Sequence, residues 1–199
     1  MKKIISLFER DYEGNRQVFN SVVPGAEWVL AGEGIPTEKI DGTAVLIENG
    51  VMFKRYDVKD GRTPPANWIQ LQEAPDPISG HWPGWLPVSE TDPADKWHWE
   101  GLANTILANN GEMIENGTYE LIGPKVGNKG GGNPYGLTEH KLCKHGAPSP
   151  ALELAPPPRD FEGLKNYFKD ISIEGIVWHH PDGRMVKIKK RDFGFKWPK

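Results

Sequence analysis

The chain has 199 residues, 37% of them hydrophobic and 26% charged, which suits one compact folded domain with a real core. Its 23 glycines and 18 prolines make it rich in turns but fall below the range of about 25–30% that signals disorder. A net charge of −3 argues against a strongly basic nucleic-acid binder, though it leaves room for a local basic cleft, and a lone cysteine, Cys143, excludes an internal disulfide.

Residues 1–37 read as lead-in structure, with one short strand at 4–8 and turn chemistry at Pro24-Gly25 and over 32–36. The opening Met1-Lys2-Lys3 and the apolar run after it resemble a signal peptide only briefly, since the run stops at Glu9-Arg10. No stretch is long and apolar enough to span a bilayer, so the expectation is a cytoplasmic protein. Lys39-Ile40-Asp41-Gly42 comes next, and a lysine becomes a nucleophile where its setting leaves the amine neutral. Asn49-Gly50 between two apolar runs predicts a two-residue hairpin in which Ile47 faces Met52. The return strand carries the basic pair Lys54-Arg55 back towards Lys39, where such a pair could hold phosphate.

Residues 57–90 read as irregular; His81-Trp82-Pro83-Gly84-Trp85 is either a stacking surface for bases or the cover of a core edge. Thr91-Asp92-Pro93 opens a helix with Trp99, Leu102, Ile106 and Leu107 as its apolar stripe, and Asn110-Gly111 ends it. Over 117–123 the pattern alternates as a strand, and Glu120 inside it is costly to bury without a partner, which marks it as a site candidate. The glycine-rich stretch 127–132, with Lys129, could cradle phosphate or be a surface loop. Two groups, His140 with Cys143 and His145, and His179 with His180 and Asp182, lack the spacing of a zinc site. The proline-rich stretch 147–158 reads as a stiff connector, and Asp160 then caps a helix that buries Phe161, Leu164 and Phe168.

A closing hairpin runs from 171 to 189 with His180-Pro181-Asp182-Gly183 as its turn. Lys187 and Lys189, two apart, share a face; with a two- or four-residue turn Glu174 shares it too, and a three-residue turn reverses this. One carboxylate and two ammonium groups could be an ordinary surface ladder, or could bind Mg²⁺ and grip phosphates.

Taken in order, five of these stretches resemble the motifs of the covalent nucleotidyltransferases, the superfamily of polynucleotide ligases and capping enzymes. They are Lys39-Ile40-Asp41-Gly42, Lys54-Arg55, Tyr119-Glu120-Leu121-Ile122-Gly123, Glu174-Gly175-Ile176-Val177 and Val186-Lys187-Ile188-Lys189. The stretches at 132–137, 174–184 and 190–194 are similar to the small ATP-dependent RNA ligase family that includes the vertebrate 5′–3′ RNA ligase. The resemblance implies an α+β nucleotidyltransferase fold of antiparallel sheets with flanking helices, with the nucleotide between the sheets. It also implies an enzyme that uses ATP and Mg²⁺, with Mn²⁺ as a substitute. Lys39 would form a lysyl-AMP, pass the adenylate to an RNA 5′-phosphate, and so let an RNA 3′-hydroxyl seal the strand.

In that scheme Lys187 and Lys189 neutralise phosphate charge and favour a neutral Lys39, and Glu174 stands on the metal side. Glu120 holds a ribose hydroxyl, Arg55 contacts ribose or phosphate, and Glu38 and Ile40 lie near the adenine. His140, or Tyr135 as second choice, stacks on the base. The chain ends ten residues after Lys189, so the expectation is a minimal ligase with no OB-type domain, unlike DNA ligases and capping enzymes. Rival readings are a nucleotidyltransferase acting on DNA ends, a non-catalytic nucleotide- or RNA-binding module of the same fold, and an α+β domain with incidental motifs.

Overall fold

The computed structural model describes residues 4–77, 79–126 and 133–198; the glycine-rich stretch 127–132 with Lys129 lies outside the described residues. In chain order the strands are β1 (Ile5–Ser6), β2 (Phe8–Arg10), β3 (Val18–Val22), β4 (Ile35–Lys39), β5 (Thr43–Glu48), β6 (Val51–Val58), β7 (Ile69–Gln70), β8 (Trp82–Pro87), β9 (Gly117–Ile122), β10 (Lys141–Lys144), β11 (Gly175–His179) and β12 (Met185–Lys189). The helices are α1 (Glu27–Leu30), α2 (Lys96–Ala108), α3 (Pro150–Leu154) and α4 (Phe161–Asp170), with 3-10 turns at Pro93–Asp95 and Lys190–Phe193. Read from the sequence as one domain, the chain divides by its contacts into two compact units. One is Asp41–His145; the other joins the residues up to Ile40 with those from Gly146 onward.

The Asp41–His145 unit is built on an antiparallel sheet of order β10-β9-β5-β6-β8-β7. Asn49 and Gly50 both take positive φ, 51° and 77°, as a type I′ turn requires, and Ile47 lies opposite Met52 as the two-residue loop predicts. Val45, Tyr119, Leu121 and Leu142 form its core, with Trp97, Trp99 and Leu102 packed on them from α2. Asp92 accepts from the Ala94 N–H at 2.9 Å and starts the helix; of the predicted stripe, Trp99 and Leu102 pack on this core while Leu107 is 73% exposed. Between these side chains the helix also meets the sheet through small and polar residues. Gly101 lies so close to the sheet that a Cβ would meet Leu121 Cδ1 at 2.4 Å. Beside it, Asn104 donates to the His140 carbonyl at 3.0 Å and Thr105 Oγ1 accepts from the Leu142 N–H at 2.8 Å. Residues 57–90 hold two strands rather than none, and Trp85 is buried, which favours the core-edge reading of that aromatic stretch.

The second unit holds a four-stranded sheet, β1-β12-β11-β4, in which β1 pairs with β12 in parallel and the other pairs are antiparallel. Leu7, Phe8, Trp28, Leu164, Phe168, Ile176, Trp178, Val186 and Ile188 make its core. Asp160 caps α4 by accepting from the Gly163 N–H at 2.8 Å, as expected. Two expectations fail here. The stretch read as a turn at 32–36 runs into β4, where Pro36 is tolerated because β4 is an edge strand. The connector contains α3, whose Leu152 is buried in the core.

Candidate active site

The site in the second unit is a matter of register. Gly175 of β11 lies opposite Lys39 of β4 on one side and Lys189 of β12 on the other. Residues opposite one another share a face, so both lysines rise from the same side of the sheet, separated by a position with no side chain. That position must be glycine, because a Cβ at Gly175 would meet the Ile188 carbonyl oxygen at 2.3 Å. In the next row Val177 lies between Thr37 and Lys187, and Ser6 of β1 extends it.

Glu174 reaches this group by a route the sequence did not predict. His180 donates its N–H to the Arg184 carbonyl and Gly183 takes φ of 91°, so Pro181-Asp182-Gly183 is a three-residue turn. Glu174 consequently lies across from Lys190, out of step with Lys187 and Lys189, and the expectation that it shares their face by alternation is corrected. It sits one residue before β11 begins. From there its Oε2 accepts from Lys39 Nζ at 2.6 Å, with the carboxylate almost fully buried.

Lys190 holds the segment that presents Glu174. Its backbone N–H donates to the Glu174 carbonyl at 2.8 Å, and its buried Nζ donates to the Ile171 carbonyl at 2.6 Å. Asp192 fixes the end of β12, accepting from the Lys189 N–H at 2.9 Å and from Arg10 Nη2 at 2.5 Å. Sequence reading quoted Lys190 and Asp192 only as part of a resemblance. Their roles depend on tertiary partners that no local pattern announces.

The electrostatics follow from this crowding. Burial pushes the Lys187 ammonium down to about 8; the charges of Lys189 and Lys39 act the same way, and Asp192 and Glu174 oppose them. Lys189 is also lowered, chiefly by burial, against the pull of Asp192 and Glu174. Glu38, opposite Ile176, is raised by burial, with a hydrogen bond from Ser149 Oγ at 3.3 Å acting the other way. Ile40 is half-buried just beyond the end of β4.

The candidates in the Asp41–His145 unit are held separately. Glu120, on a strand flanked by β5 and β10, is 9% exposed and finds its partner in His145, whose Nε2 is 2.8 Å from Oε2. Arg55 Nε donates to Asp57 Oδ1 at 2.5 Å, and Lys54 pairs with the buried Asp95. Gly42 of the Lys39 motif packs so tightly that a Cβ would meet the Leu121 carbonyl at 2.2 Å. The Tyr135 hydroxyl accepts from the Asp41 N–H at 2.6 Å, a role that a search for stacking rings does not reveal.

His140 is corrected outright: it is 2% exposed, stacked on Trp97 at 4.5 Å between ring centroids and hydrogen-bonded to Glu100 at 2.8 Å. It packs the α2–sheet interface and is not an open platform for adenine. Among the described residues no three His, Cys, Asp or Glu side chains converge as a metal site, and no helix is long and apolar enough to cross a membrane.

A family model for RNA ligase 1 matches residues 52–199, about three quarters of the chain. The chain belongs to the RNA ligase 1 family. Glu120, Glu174, Lys187 and Lys189 fall inside the matched stretch and Lys39 precedes it. Curated relatives agree. RNA ligase 1 of Danio rerio is 33% identical over 147 residues, covering 60% of this chain and 42% of the relative. RNA ligase 1 of Pongo abelii is 28% identical over 232 residues, covering 82% of this chain and 68% of the relative. For RNA ligase 1 of Rattus norvegicus the figures are 30% over 187 residues, 76% and 54%. The chain therefore spans between 42% and 68% of the length of these RNA ligase 1 proteins.

Proposed function

We propose that this chain is an ATP-dependent RNA ligase with a nucleotidyltransferase fold that works through a covalent lysyl-AMP on Lys39 and joins 5′-phosphate to 3′-hydroxyl RNA ends. The observation that carries this reading is the Lys39 Nζ–Glu174 Oε2 contact of 2.6 Å on a sheet that also raises Lys187 and Lys189.

Glu174 would hold the Lys39 amine in place while it loses a proton and attacks the α-phosphorus of ATP. The new bond is P–N, and the bond broken joins the α-phosphorus to the departing pyrophosphate. Lys187 and Lys189 would stabilise the negative oxygens of that transition state. In the second step an oxygen of the RNA 5′-phosphate takes the adenylate and releases Lys39. In the third, the RNA 3′-hydroxyl attacks that phosphate, AMP leaves and the hydroxyl proton is lost.

The donor set suits Mg²⁺, which takes one or two carboxylates and completes its shell with water and phosphate oxygens; Glu174 would hold it. Bound there, Mg²⁺ supplies charge neutralisation at the phosphates. The roles implied for Glu120 at a ribose hydroxyl, Arg55 at ribose or phosphate, and Glu38 and Ile40 near the base belong to the same reading.

The test is self-labelling with ATP carrying label in the α-phosphate, with Mg²⁺, comparing wild type with Lys39→Ala. A protein-bound label that is absent in the variant, and discharged by 5′-phosphorylated RNA, supports the ligase. Discharge by DNA alone would redirect the acceptor. ATP binding without any label would leave a non-catalytic module.

A further inference from the structure

Asp192 takes no part in the proposed chemistry, yet its charge acts on both phosphate-facing lysines. It is 1% exposed, and it favours the protonated forms of Lys187 and Lys189 against the burial that opposes them. Lys39 and Glu174 act on the same two lysines, and Arg191 acts on Lys189. A carboxylate so deeply buried requires a cation. Lys187 and Lys189 could each serve, but a lysine drawn to Asp192 is withdrawn from a phosphate. The chain meets the requirement from elsewhere. Arg10 Nη2 donates to Asp192 Oδ1 at 2.5 Å, while Asp192 Oδ2 accepts from the Lys189 N–H at 2.9 Å. Arg10 Nη1 donates to the Arg16 carbonyl in the loop between β2 and β3, so its own hairpin braces the guanidinium. Its charge is permanent, since a guanidinium does not give up its proton in a protein.

We propose that Arg10 is a positioning residue that keeps Asp192 from capturing Lys187 and Lys189, so that both ammonium groups stay available to the phosphates of the nucleotide. Arg10 and Asp192 together are neutral. Without Arg10, the carboxylate places an uncompensated negative charge beside the triphosphate and repels it. Asp192 then has two separable tasks, one oxygen ending β12 and the other held by Arg10. The inference rests on the ATP-dependent reading above. It gives a role to a residue that sequence reading noted only as the stop to an apolar run.

The measurement is ATP affinity by calorimetry, with self-labelling beside it, in wild type, Arg10→Gln, Arg10→Lys, Asp192→Asn and the double variant Arg10→Gln/Asp192→Asn. A thermal melt accompanies each. Arg10→Gln is expected to weaken ATP binding by about tenfold, with a smaller effect on labelling at saturating ATP. Arg10→Lys keeps the charge and stays close to wild type. Adding Asp192→Asn to Arg10→Gln removes the stranded charge and returns affinity to within about twofold of wild type, although the salt bridge is still missing. A merely structural tie between β2 and β12 gives the opposite result, a double variant as weak as Arg10→Gln or weaker. That outcome, or an affinity unchanged in Arg10→Gln, overturns the inference. Should Arg10→Gln fail to fold, Asp192→Asn decides alone. Its amide oxygen can still accept from the Lys189 N–H, so it should bind ATP at least as tightly as wild type, and weaker binding by the folded variant overturns the inference. A wild type that binds ATP without being labelled removes the ligase reading, and the affinities still decide the role of Arg10. A wild type that does not bind ATP overturns both.

Discussion

The two sheets treat charge in opposite ways. In the Asp41–His145 unit the lysines and arginine at hand have carboxylate partners, Lys54 with Asp95, Arg55 with Asp57 and Lys144 with Glu115, while His140 and His145 hydrogen-bond Glu100 and Glu120. In the second unit Lys39, Lys187 and Lys189 face Glu174 and Asp192, and Asp192 is already bonded to Arg10. Cation there outnumbers anion, in a setting buried enough to push two lysines towards neutrality. A balanced set stabilises a fold; an unbalanced one is suited to a polyanion, and the triphosphate of the proposed reaction supplies the missing charge.

The largest expected effect separates the two kinds of pairing. Glu174→Ala should lower self-labelling by about 100-fold or more, the scale of removing a transition-state contact, with a thermal melt close to wild type. Lys54→Met should do the reverse. It strands Asp95 without its partner and destabilises the protein by about 3–5 kcal/mol, while labelling per folded molecule stays unchanged. Labelling lost in a folded Lys54→Met protein would break the distinction and make Lys54 part of the chemistry.

Gly175→Ala should cost about 1–3 kcal/mol of stability by forcing β11 from β12, with labelling reduced in the molecules that fold. pH provides a gentler probe, with two responses of opposite sign. Lys187 in the folded chain loses its proton near 8, against an ordinary 10.5. Between those values the unfolded chain binds more protons, so stability should rise with pH across the window. ATP affinity should fall across it, since binding the triphosphate requires the proton to be taken up again. Calorimetry in buffers of different ionisation enthalpy would detect that uptake, and Lys187→Arg should remove it. Smallest of all, Glu115→Gln should leave melting and labelling as they are, because its pair with Lys144 is solvent-exposed.

Much of this was legible in the sequence where the information is local. Asn49-Gly50 needs positive φ twice, and its neighbours alternate, so hairpin and register followed. Lys187 and Lys189 share a face because strand alternation has a period of two. What could not be read depends on partners distant in the chain. β4 was obscured by Pro36, which only an edge position permits, and α2 docks through Gly101, Asn104 and Thr105 as well as through Trp99 and Leu102 of its stripe. The three-residue turn displaced Glu174 by one step, yet a carboxylate placed just outside a strand escapes strict alternation and still reached Lys39. His140 failed because an aromatic ring looks the same in sequence whether it faces a ligand or Trp97.

The second unit is assembled from two stretches far apart in the sequence, and this bears on how it forms. Lys39 precedes Glu174 by 135 positions, so at ribosomal speeds of about 5–20 residues per second it is synthesised on the order of ten seconds before its partner. The uninterrupted Asp41–His145 stretch contains every strand of its own sheet and can pair as it emerges. β1 and β4 have no such option, because their neighbours, β12 and β11, lie far later in the chain. The nascent chain therefore carries two unpaired strands and its proposed nucleophile until β11 and β12 have been made, and the proposed chemistry cannot begin before then.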